Sequence, residues 1–495
     1  MNAHDAAELE EALRAEMARL APKPPPSLLD RTLAAVEATP QRRRLTPAWT
    51  APSGGWRFAT ASIVIAGGVA VGIAIGSSVT AIFVDWPGSP PAPPSVAASD
   101  TPALTASPPT PTPPSEPPRP IAPETWERID LPDPAPGVFS SGRPTDVVAF
   151  DGGFVAVGSL GASCVSDIHE PPPDCATALD VLPSTTSALV WLSDDGRTWE
   201  LLPFQAALEG ASMQHVATDG SRIVASGFLE DPNLRLPAIW VSDDGSSWEL
   251  VEADGVLPEQ IVSTTTGFVG VRPTDEGPQF LASDDGRSWL PTTAPGDLGA
   301  GETMGMALGI DGTTVVAVGV AYEYSNDGEL LTITGASWLS RDGRTWERGA
   351  ENEGHEGAWI SSAAQTDAGW VAVGLDQTVE AEPADEMAAW TSPDGLSWTR
   401  VPTSSIERAF DGAATQVAWT GDRLVATGTV SSEGGSSVAA WLSTDGTSWS
   451  AVTGQPALDD GTPDRLVAMD GWTLAVGVRF AGPDHMLGVV WLASP

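Results

Sequence analysis

Short apolar runs alternate with glycine and Asp-Gly turns along the chain from about residue 125 to its end. A typical unit contains the runs 154–158 (FVAVG) and 189–193 (LVWLS), followed by a run that opens with tryptophan, 199–202 (WELL). Short runs rich in valine and tryptophan and bounded by turn residues predict β-strands. The pattern therefore predicts four short strands in each unit.

One seven-residue phrase, S-x-D-G-x-[S/T]-W, occurs six times in the C-terminal two-thirds of the chain. The copies are about 50 residues apart, a period that indicates a propeller or a solenoid rather than one packed core. Four-stranded units repeated in this way are typical of propeller blades. The copies begin at Ser193, Ser242, Ser283, Ser340, Ser392 and Ser443.

The aspartate of each copy is expected to accept hydrogen bonds from the backbone amides of its turn, and the next glycine tolerates a positive φ. The closing tryptophan supplies a large flat surface for burial. These features predict a structural role for the aspartates rather than a ligand or metal role. The six aspartates are Asp195, Asp244, Asp285, Asp342, Asp394 and Asp445.

The phrase resembles the Asp-box, or BNR repeat, of sialidase-like propellers, whose usual form carries one more residue between Asp and Gly. The resemblance covers residues 125–495. It implies a β-propeller in which the box lies on a hairpin away from the active face. The resemblance is therefore informative about fold and uninformative about activity.

A seventh set of apolar runs, 466–469, 474–477 and 489–492, reaches the C-terminus without a fourth strand. A matching fourth-strand sequence occurs instead at residues 125–128 (TWER), which are identical to residues 345–348. We therefore predict an all-β fold over residues 125–495, a seven-bladed β-propeller of four-stranded blades. The strand around Trp126 is expected to pair beside Val490 and close the ring, which removes two exposed sheet edges.

Residues 58–84 form a stretch of 27 residues without a charge, long enough to cross a bilayer. Four arginines precede this stretch, at 42–44 and 57, and Asp85 follows it. By the positive-inside rule, the chain is a single-pass cell-membrane protein with a cytoplasmic N-terminus and an extracytoplasmic propeller. The alternative is a cleaved signal peptide, which the long preceding segment and the apolar length disfavour.

The predicted order is a cytoplasmic tail (1–56) with two short helices, a transmembrane helix (57–85) and a stalk (86–124) rich in Pro, Ser and Thr. Gly68, Gly72 and Gly76 form overlapping G-x-x-x-G units that would allow a homodimer, although a span rich in small residues also explains them. The prolines at 24–26 and the arginines at 42–44 resemble the juxtamembrane region of membrane-bound anti-sigma factors. The tail lacks the Cys/His zinc motif of many of those proteins.

Charge limits the partners of the predicted extracytoplasmic part. Residues 58–495 hold 16 Lys or Arg and 58 Asp or Glu, a net charge of −42. Nucleic acid and anionic lipid surfaces would be repelled, so we expect no nucleic-acid partner. An extracytoplasmic protein or a glycan remains the expected partner.

The two cysteines of the chain, Cys164 and Cys175, lie in one predicted loop of the first blade. In an oxidising compartment they are expected to form a disulfide bond. A metal site is disfavoured, because only His169 is a nearby histidine and the spacing matches no common zinc pattern. We predict no metal site and no cofactor.

Function in propellers usually resides on the face opposite the Asp-Gly turns, where second strands join third strands and each blade joins the next. Arg272 stands where most other blades have the final glycine of the second run. The predicted ligand-binding residues on that face are Arg272, Tyr322, Glu323, Tyr324, His355, Trp359 and Arg479.

A sialidase would need an arginine cluster, a tyrosine nucleophile assisted by a glutamate, and an aspartic acid. The chain has two tyrosines, both in one insertion, and lacks the arginine motif that opens sialidase domains. We therefore predict a non-enzymatic, membrane-anchored binding, sensing or scaffold module. The alternatives are a sialidase-like glycoside hydrolase and a transmembrane regulator that signals through the tail, as anti-sigma factors do.

Overall fold

The computed structural model describes most of residues 125–495, and all described residues belong to one compact unit. The predicted tail (1–56), transmembrane helix (57–85), stalk (86–124), Cys164 and the Gly68, Gly72 and Gly76 face lie outside the described residues. Among the described residues, no helix has the length and apolar character needed to cross a membrane. The gaps are 137, 164–174, 176–181, 183–185, 232–233, 253–255, 275, 295, 297, 300, 325–329, 351–354, 378–385, 410–411, 433–434, 470–471, 483–484 and 495.

The described residues form 28 strands and three single turns of 3₁₀ helix, which are Ala206–Leu208, Thr403–Ser405 and Pro456–Leu458. The strands up to residue 250 are β1 Thr125–Asp130, β2 Phe139–Phe150, β3 Gly153–Ser163, β4 Thr186–Ser193, β5 Glu200–Leu201, β6 Ala211–Thr218, β7 Ile223–Asp231, β8 Leu234–Ser242 and β9 Glu249–Leu250. The next strands are β10 Gln260–Thr264, β11 Gly267–Thr274, β12 Gly277–Ser283, β13 Leu290–Pro291, β14 Glu302–Leu308, β15 Val315–Tyr324, β16 Leu330–Ser340 and β17 Trp346–Arg348. The remaining strands are β18 Ala358–Thr366, β19 Gly369–Asp376, β20 Glu386–Ser392, β21 Thr399–Arg400, β22 Gly412–Trp419, β23 Leu424–Ser432, β24 Gly435–Ser443, β25 Ser450–Ala451, β26 Thr462–Met469, β27 Trp472–Gly482 and β28 His485–Ser494.

Within the described residues, these strands form five separate four-stranded sheets and one eight-stranded sheet. Each separate sheet contains four consecutive strands, and we name it by its first strand as the β6, β10, β14, β18 or β22 sheet. The eight-stranded sheet has a β2 half (β2–β5) and a β26 half (β26–β28 with β1), joined by one parallel pair between Ser141 and Met486. The predicted four strands per unit are therefore present.

Strand β1 completes the β26 half. It lies antiparallel to β28, from Thr125 opposite Ser494 to Asp130 opposite Val489. Trp126 is buried in the core of this half. The predicted pairing of the Trp126 strand with the strand around Val490 is confirmed, and it covers an edge of β28 that would otherwise be open.

The first strands of the sheets contact one another in chain order. Strand β2 contacts β6, then β6 contacts β10, and the series continues through β14, β18 and β22 to β26. Strand β26 in turn contacts β2. An all-β arrangement of small antiparallel sheets in this order is consistent with a β-propeller.

The hydrophobic core lies between neighbouring sheets. Each buried cluster combines side chains of two successive sheets or, in one case, of the two halves of the eight-stranded sheet. In one example, Val371 and Val373 of the β18 sheet share a cluster with Val417 and Trp441 of the β22 sheet. Third-strand tryptophans anchor the connections between sheets, because the indole N–H groups of Trp240 and Trp338 donate to Ala207 O and Leu298 O. Trp441 and Trp491 donate in the same way to Glu407 O and Ala457 O.

The repeated phrase supplies hydrogen bonds to its own Asp-Gly turns. In the first copy, Asp195 Oδ1 accepts hydrogen bonds from the backbone amides of Arg197 (2.8 Å) and Thr198 (2.7 Å). Gly196 has a φ of 69°, which a residue with a side chain rarely adopts. The indole N–H of Trp199 donates to Gly196 O at 2.9 Å. The same aspartate contacts recur in the other five copies.

Candidate functional site

The predicted ligand residues lie at one end of their sheets. Because antiparallel strands alternate in direction, the connections from first to second and from third to fourth strand lie at one end, which we call the turn end. The other connections lie at the loop end. Arg272, Tyr322, Glu323, Tyr324 and Arg479 lie near the loop ends of second strands, Trp359 begins a first strand there, and His355 lies in the connection before it.

A glycine in the second strand and a bulge in the first strand occur together in the β2, β6, β14, β18 and β22 units and in the β26 half. Gly158 is one example, because a Cβ added to it would lie 1.9 Å from Arg143 O of the first strand. That first strand has a register shift between Pro144 and Asp146. The bulge thus brings a carbonyl where only a residue without a side chain fits. The equivalent glycines are Gly227, Gly319, Gly374, Gly428 and Gly477, whose added Cβ would lie 1.9 to 2.1 Å from a carbonyl oxygen.

The β10 sheet departs from this arrangement. Arg272 takes the place of the glycine, because it pairs with Gln279, four residues before Ser283, as Gly158 pairs with Leu189, four residues before Ser193. The pairing of β10 with β11 is regular from Thr264 to Gln260. Glu259 N then donates to Val271 O, the partner of Gln260, so two residues of the first strand oppose one residue of the second, as at the bulges of the other sheets. The departure is therefore the side chain of Arg272 in place of a glycine.

The Arg272 side chain is partly exposed, and its Nε is buried without a hydrogen-bond partner. Within the described part of the chain, Arg272 makes no ion pair and no hydrogen bond. Every other arginine there makes at least one, namely Arg128, Arg143, Arg197, Arg222, Arg235, Arg287, Arg341, Arg344, Arg348, Arg400, Arg408, Arg423, Arg465 and Arg479.

Glu259 lies in the electrostatic neighbourhood of Arg272, and Glu302 lies in that of Glu259. Glu259 precedes β10 and is held beside β11, since Gln260 pairs with Val271 and Glu259 N donates to Val271 O at 2.9 Å. Burial raises the pKa of Glu259, and Glu302 raises it further, whereas the positive charges of Arg272 and Arg235 act in the opposite direction. The group therefore combines an arginine without an ion pair and a half-buried carboxyl.

The second cluster of predicted residues is aromatic. Tyr322 of β15 and Trp359 of β18 are both partly buried and pack edge to face, with ring centroids 6.1 Å apart. Glu323 is exposed and accepts a hydrogen bond from the Thr332 hydroxyl at 3.2 Å. Tyr324 ends β15. The structure thus brings Tyr322 and Trp359 together across two neighbouring sheets.

The other two predicted ligand residues, His355 and Arg479, are engaged within the fold. His355 is buried, with 2% of its surface exposed. Arg479 donates two hydrogen bonds to the Asp130 carboxylate, at 2.8 and 2.6 Å, and this pairing holds the pKa of Asp130 below its usual value. Because Asp130 belongs to β1, Arg479 fastens the closing strand, and its guanidinium is occupied.

An ion network on the first strands was not predicted from the sequence. Arg143 of β2 pairs with the buried Asp464 of β26, with 2.9 Å between Arg143 Nε and Asp464 Oδ2. Asp146 of β2 lies 3.2 Å from Arg465 Nε of β26 and 3.7 Å from His215 Nδ1 of β6. The sequence signal was the presence of charged residues inside otherwise apolar runs, as in 464–465.

The two aspartates of this network differ in their proton affinity. Burial alone would raise the pKa of Asp146, but the Arg465 guanidinium, the nearby His215 imidazole and the hydrogen bond from the Val216 amide hold that pKa below its usual value. Burial raises the pKa of Asp464, and the Arg143 guanidinium offsets only part of this effect. The ion pairs of this network connect β26, β2 and β6, at the place where the first and last sheets of the described chain meet.

The first blade insertion contains Cys175, which is buried and takes part in a disulfide bond. Within the described residues, no group of three or more His, Cys, Asp or Glu side chains is arranged to hold a metal ion.

No protein-family model matches the chain, and no curated protein matches it. Among solved structures, the chain is similar to a protein of unknown function from Dyadobacter fermentans, at 16% identity and a TM-score of 0.41, over 74% of this chain and 97% of that one. It is similar to Trypanosoma rangeli sialidase at 14% identity and a TM-score of 0.40, over 75% of this chain and 60% of that chain. The β-propeller domain of the trilobed protease from Pyrococcus furiosus gives 11% identity and a TM-score of 0.41, over 72% and 94% of the two chains. Nothing about the activity of this chain follows from these similarities.

Proposed function

We propose that residues 125–495 form a closed seven-bladed β-propeller of the Asp-box type that acts as a non-enzymatic binding module. The blade count follows if the five separate sheets and the two halves of the eight-stranded sheet are each one blade. The contact of β26 with β2 and the pairing of β1 with β28 support closure of the ring. The turn contacts of the repeated phrase support the Asp-box assignment.

The observation that carries the non-enzymatic proposal is the pairing of the first-strand arginines. Arg143 and Arg465 are the arginines of the described first strands, and each is paired with a buried aspartate. A sialidase needs arginines that are available to the carboxylate of its substrate. Tyr322, the partly buried tyrosine, lies on a second strand against Trp359 rather than on a first strand. This arrangement argues against the sialidase-like hydrolase alternative.

We propose the loop end of the sheets as the ligand-binding side. It carries the Arg272 group and the Tyr322–Trp359 pair, which offer a cationic group and an aromatic surface to a partner. The net charge of −42 over residues 58–495 favours a protein or a glycan over nucleic acid. At the turn end, by contrast, the aspartates of the repeated phrase accept backbone amides of their own turns.

The membrane setting is part of this proposal and rests on the sequence. The uncharged stretch 58–84 would anchor the chain, and residues 86–124 would hold the propeller outside the membrane. Gly68, Gly72 and Gly76 would permit a homodimer. Regulation through the tail, in the manner of anti-sigma factors, is the second candidate function. Capture of a sigma factor by residues 1–57 in a pull-down would support it, and failure to capture one would exclude it.

Catalysis is tested with the full-length chain in detergent. We expect no turnover of a fluorogenic sialoside or of a panel of nitrophenyl glycosides above the rate without protein. Turnover that is abolished by Tyr322→Phe and retained by the matched control Tyr324→Phe would overturn the non-enzymatic proposal.

Binding is tested on arrays of neutral glycans, acidic glycans and basic peptides with two matched tryptophan variants. Trp359 lies at the loop end, and Trp472 begins β27 at the turn end, where the Arg197 guanidinium lies 5.0 Å from its ring centroid. Both side chains are partly buried. We expect Trp359→Ala to reduce array binding at least about 10-fold, as loss of an aromatic contact does, and Trp472→Ala to leave it unchanged. The opposite result would place the ligand at the turn end.

A further inference from the structure

Three departures of the β10 sheet from the other sheets occur at neighbouring positions. Arg272 replaces a glycine that the other sheets have at this position. Leu281 replaces the third-strand tryptophan. Across the strands from Leu281 stands Gly270, where a Cβ would lie only 2.4 Å from Pro258 Cβ in the incoming connection.

These departures change how the connection into the β10 sheet is held. In other sheets a tryptophan indole fastens the incoming connection, as Trp240 fastens Ala207. Leu281 has no hydrogen-bond donor, and the connection is instead held through its backbone. Glu259 N donates to Val271 O, and the Ser226 hydroxyl donates to Glu259 O at 2.8 Å. This replacement places Glu259 beside Arg272.

Arg272 has a buried polar atom, Nε, that makes no hydrogen bond. A buried donor without a partner destabilises a protein, and a charged group costs more than a neutral one. Every other arginine of the described residues is paired with a carboxylate or a carbonyl, including Arg465, whose Nε is also without a hydrogen bond but lies 3.2 Å from Asp146 Oδ1. Arg272 has a buried Nε without a partner and makes no ion pair with a described residue. A planar guanidinium with unused donors matches the two oxygens of a carboxylate.

We propose that Arg272 binds a carboxylate group of the ligand at the loop end of the third blade. This inference rests on the proposed function and names the chemistry of the ligand. Glu259, whose charge interacts with that of Arg272, favours a ligand that also carries hydrogen-bond donors or a positive charge. The acidic domain repels polyanions, so the carboxylate belongs to a ligand with few negative charges.

The proposal is tested by protection of arginines from phenylglyoxal, measured by mass spectrometry on the full-length chain. Sodium glucuronate and N-acetyl-L-glutamate are the probes, with sodium chloride at equal ionic strength as the reference. At about 50 mM of an effective probe, we expect modification of Arg272 to slow at least about 3-fold, since isolated carboxylate pairs bind in the millimolar range. Arg408 is the internal control, because it is also at the loop end and is paired with Glu386.

A second measurement uses the melting temperature with the same probes. The effective probe should raise the melting temperature of the wild type and of Arg408→Gln, and should not raise that of Arg272→Gln. Protection by glucuronate alone identifies a sugar acid, protection by N-acetyl-L-glutamate alone identifies a peptide, and protection by both shows that the carboxylate suffices.

The proposal is overturned if neither probe protects Arg272 more than Arg408 and neither raises the melting temperature through Arg272. If array binding is still lost in Trp359→Ala, that result leaves the binding module in place and rejects only the carboxylate site. If array binding is unaffected by Trp359→Ala and Arg272 is protected, the carboxylate site stands without the aromatic contact.

Discussion

At the scale of single residues, the same few side chains do the same work in every repeat. The turn aspartates accept two backbone amides each, and the second-strand glycines make room for a carbonyl oxygen of the first strand. Both roles are set by backbone geometry, which explains why the residue types repeat while the loops between them vary. Arg272 is informative because it takes the place of one of these glycines.

Asp244 tests the role of the turn aspartates. Backbone hydrogen bonds, chiefly from Ser247, lower its pKa from 3.8 to about 2. Because the pKa is lower in the folded protein, its stabilisation is present above about pH 4 and is lost as the pH falls towards 2. We expect Asp244→Asn to lower the free energy of unfolding by about 1 kcal/mol near pH 7 in urea denaturation, and by less at the acid end.

The neighbouring Asp243 is the matched control for this substitution. Its side chain is 71% exposed and pairs only with Arg222 at the surface. Asp243→Asn should therefore change the free energy of unfolding by less than about 0.5 kcal/mol. Equal effects of the two substitutions would show that the turn does not use Asp244 as described.

The glycine rule is tested within one strand, β3. A Cβ at Gly158 would lie 1.9 Å from Arg143 O, whereas nothing lies within 4 Å of a Cβ at Gly161. We expect Gly158→Ala to lower the free energy of unfolding by at least about 2 kcal/mol and Gly161→Ala to change it little. Similar melting curves for the two variants would contradict the coupling of glycine and bulge.

At the scale of elements, the sheets are joined by a buried ion network as well as by their apolar faces. Asp146 of β2 faces Arg465 of β26 and His215 of β6, and its carboxylate also accepts the amides of Val147 and Val216. Removal of a buried charge from such a network leaves its partners unpaired, which costs more than loss of a surface pair.

Asp146→Asn tests this network. We expect the substitution to lower the free energy of unfolding by about 3 kcal/mol, because Arg465 would lose its carboxylate partner in a buried position. Asp422→Asn is the comparison, since Asp422 pairs with Arg423 but is 67% exposed, and it should cost less than about 1 kcal/mol. Calorimetry of both variants near neutral pH decides between a network that stabilises the junction and one that does not.

The fold could be predicted from the sequence because its signals are local and repeated. Alternating apolar runs and Asp-Gly turns indicated four strands per unit. Residues 125–128 repeat a fourth-strand sequence, which indicated that β1 belongs with the C-terminal strands. The first-strand bulges could not be predicted, because a bulge is a property of two paired strands. The link between Gly158 and the Arg143 carbonyl became visible only when the strands were placed side by side.

The candidate site could be predicted only in part. Arg272 stood out in the sequence because it interrupts a repeated glycine, and its lack of an ion pair depends on what surrounds it in space. Arg479 was predicted as a ligand residue, but it pairs with Asp130, which lies 349 positions away along the chain. The network of Arg143, Asp464 and Asp146 joins opposite ends of the folded chain, a proximity that no local pattern reports.

At the scale of the whole molecule, the binding proposals assume one closed ring. The short N-terminal strand β1 belongs to the same sheet as the last three strands, so the first and last parts of residues 125–495 are joined by backbone hydrogen bonds. In the proposed ring, β1 covers the edge of β28 and the loop-end residues lie on one scaffold. The binding proposals for Arg272 and Trp359 both assume this scaffold.

The most direct measurement is hydrogen–deuterium exchange of the native chain, followed by mass spectrometry of peptides from β1 and β28. If β1 closes the ring, amides of residues 125–130 should exchange as slowly as those of β27 and β28, because their opening requires the ring to open. Exchange of residues 125–130 at the rate of an unstructured segment, with β27 and β28 still protected, would contradict the closed propeller.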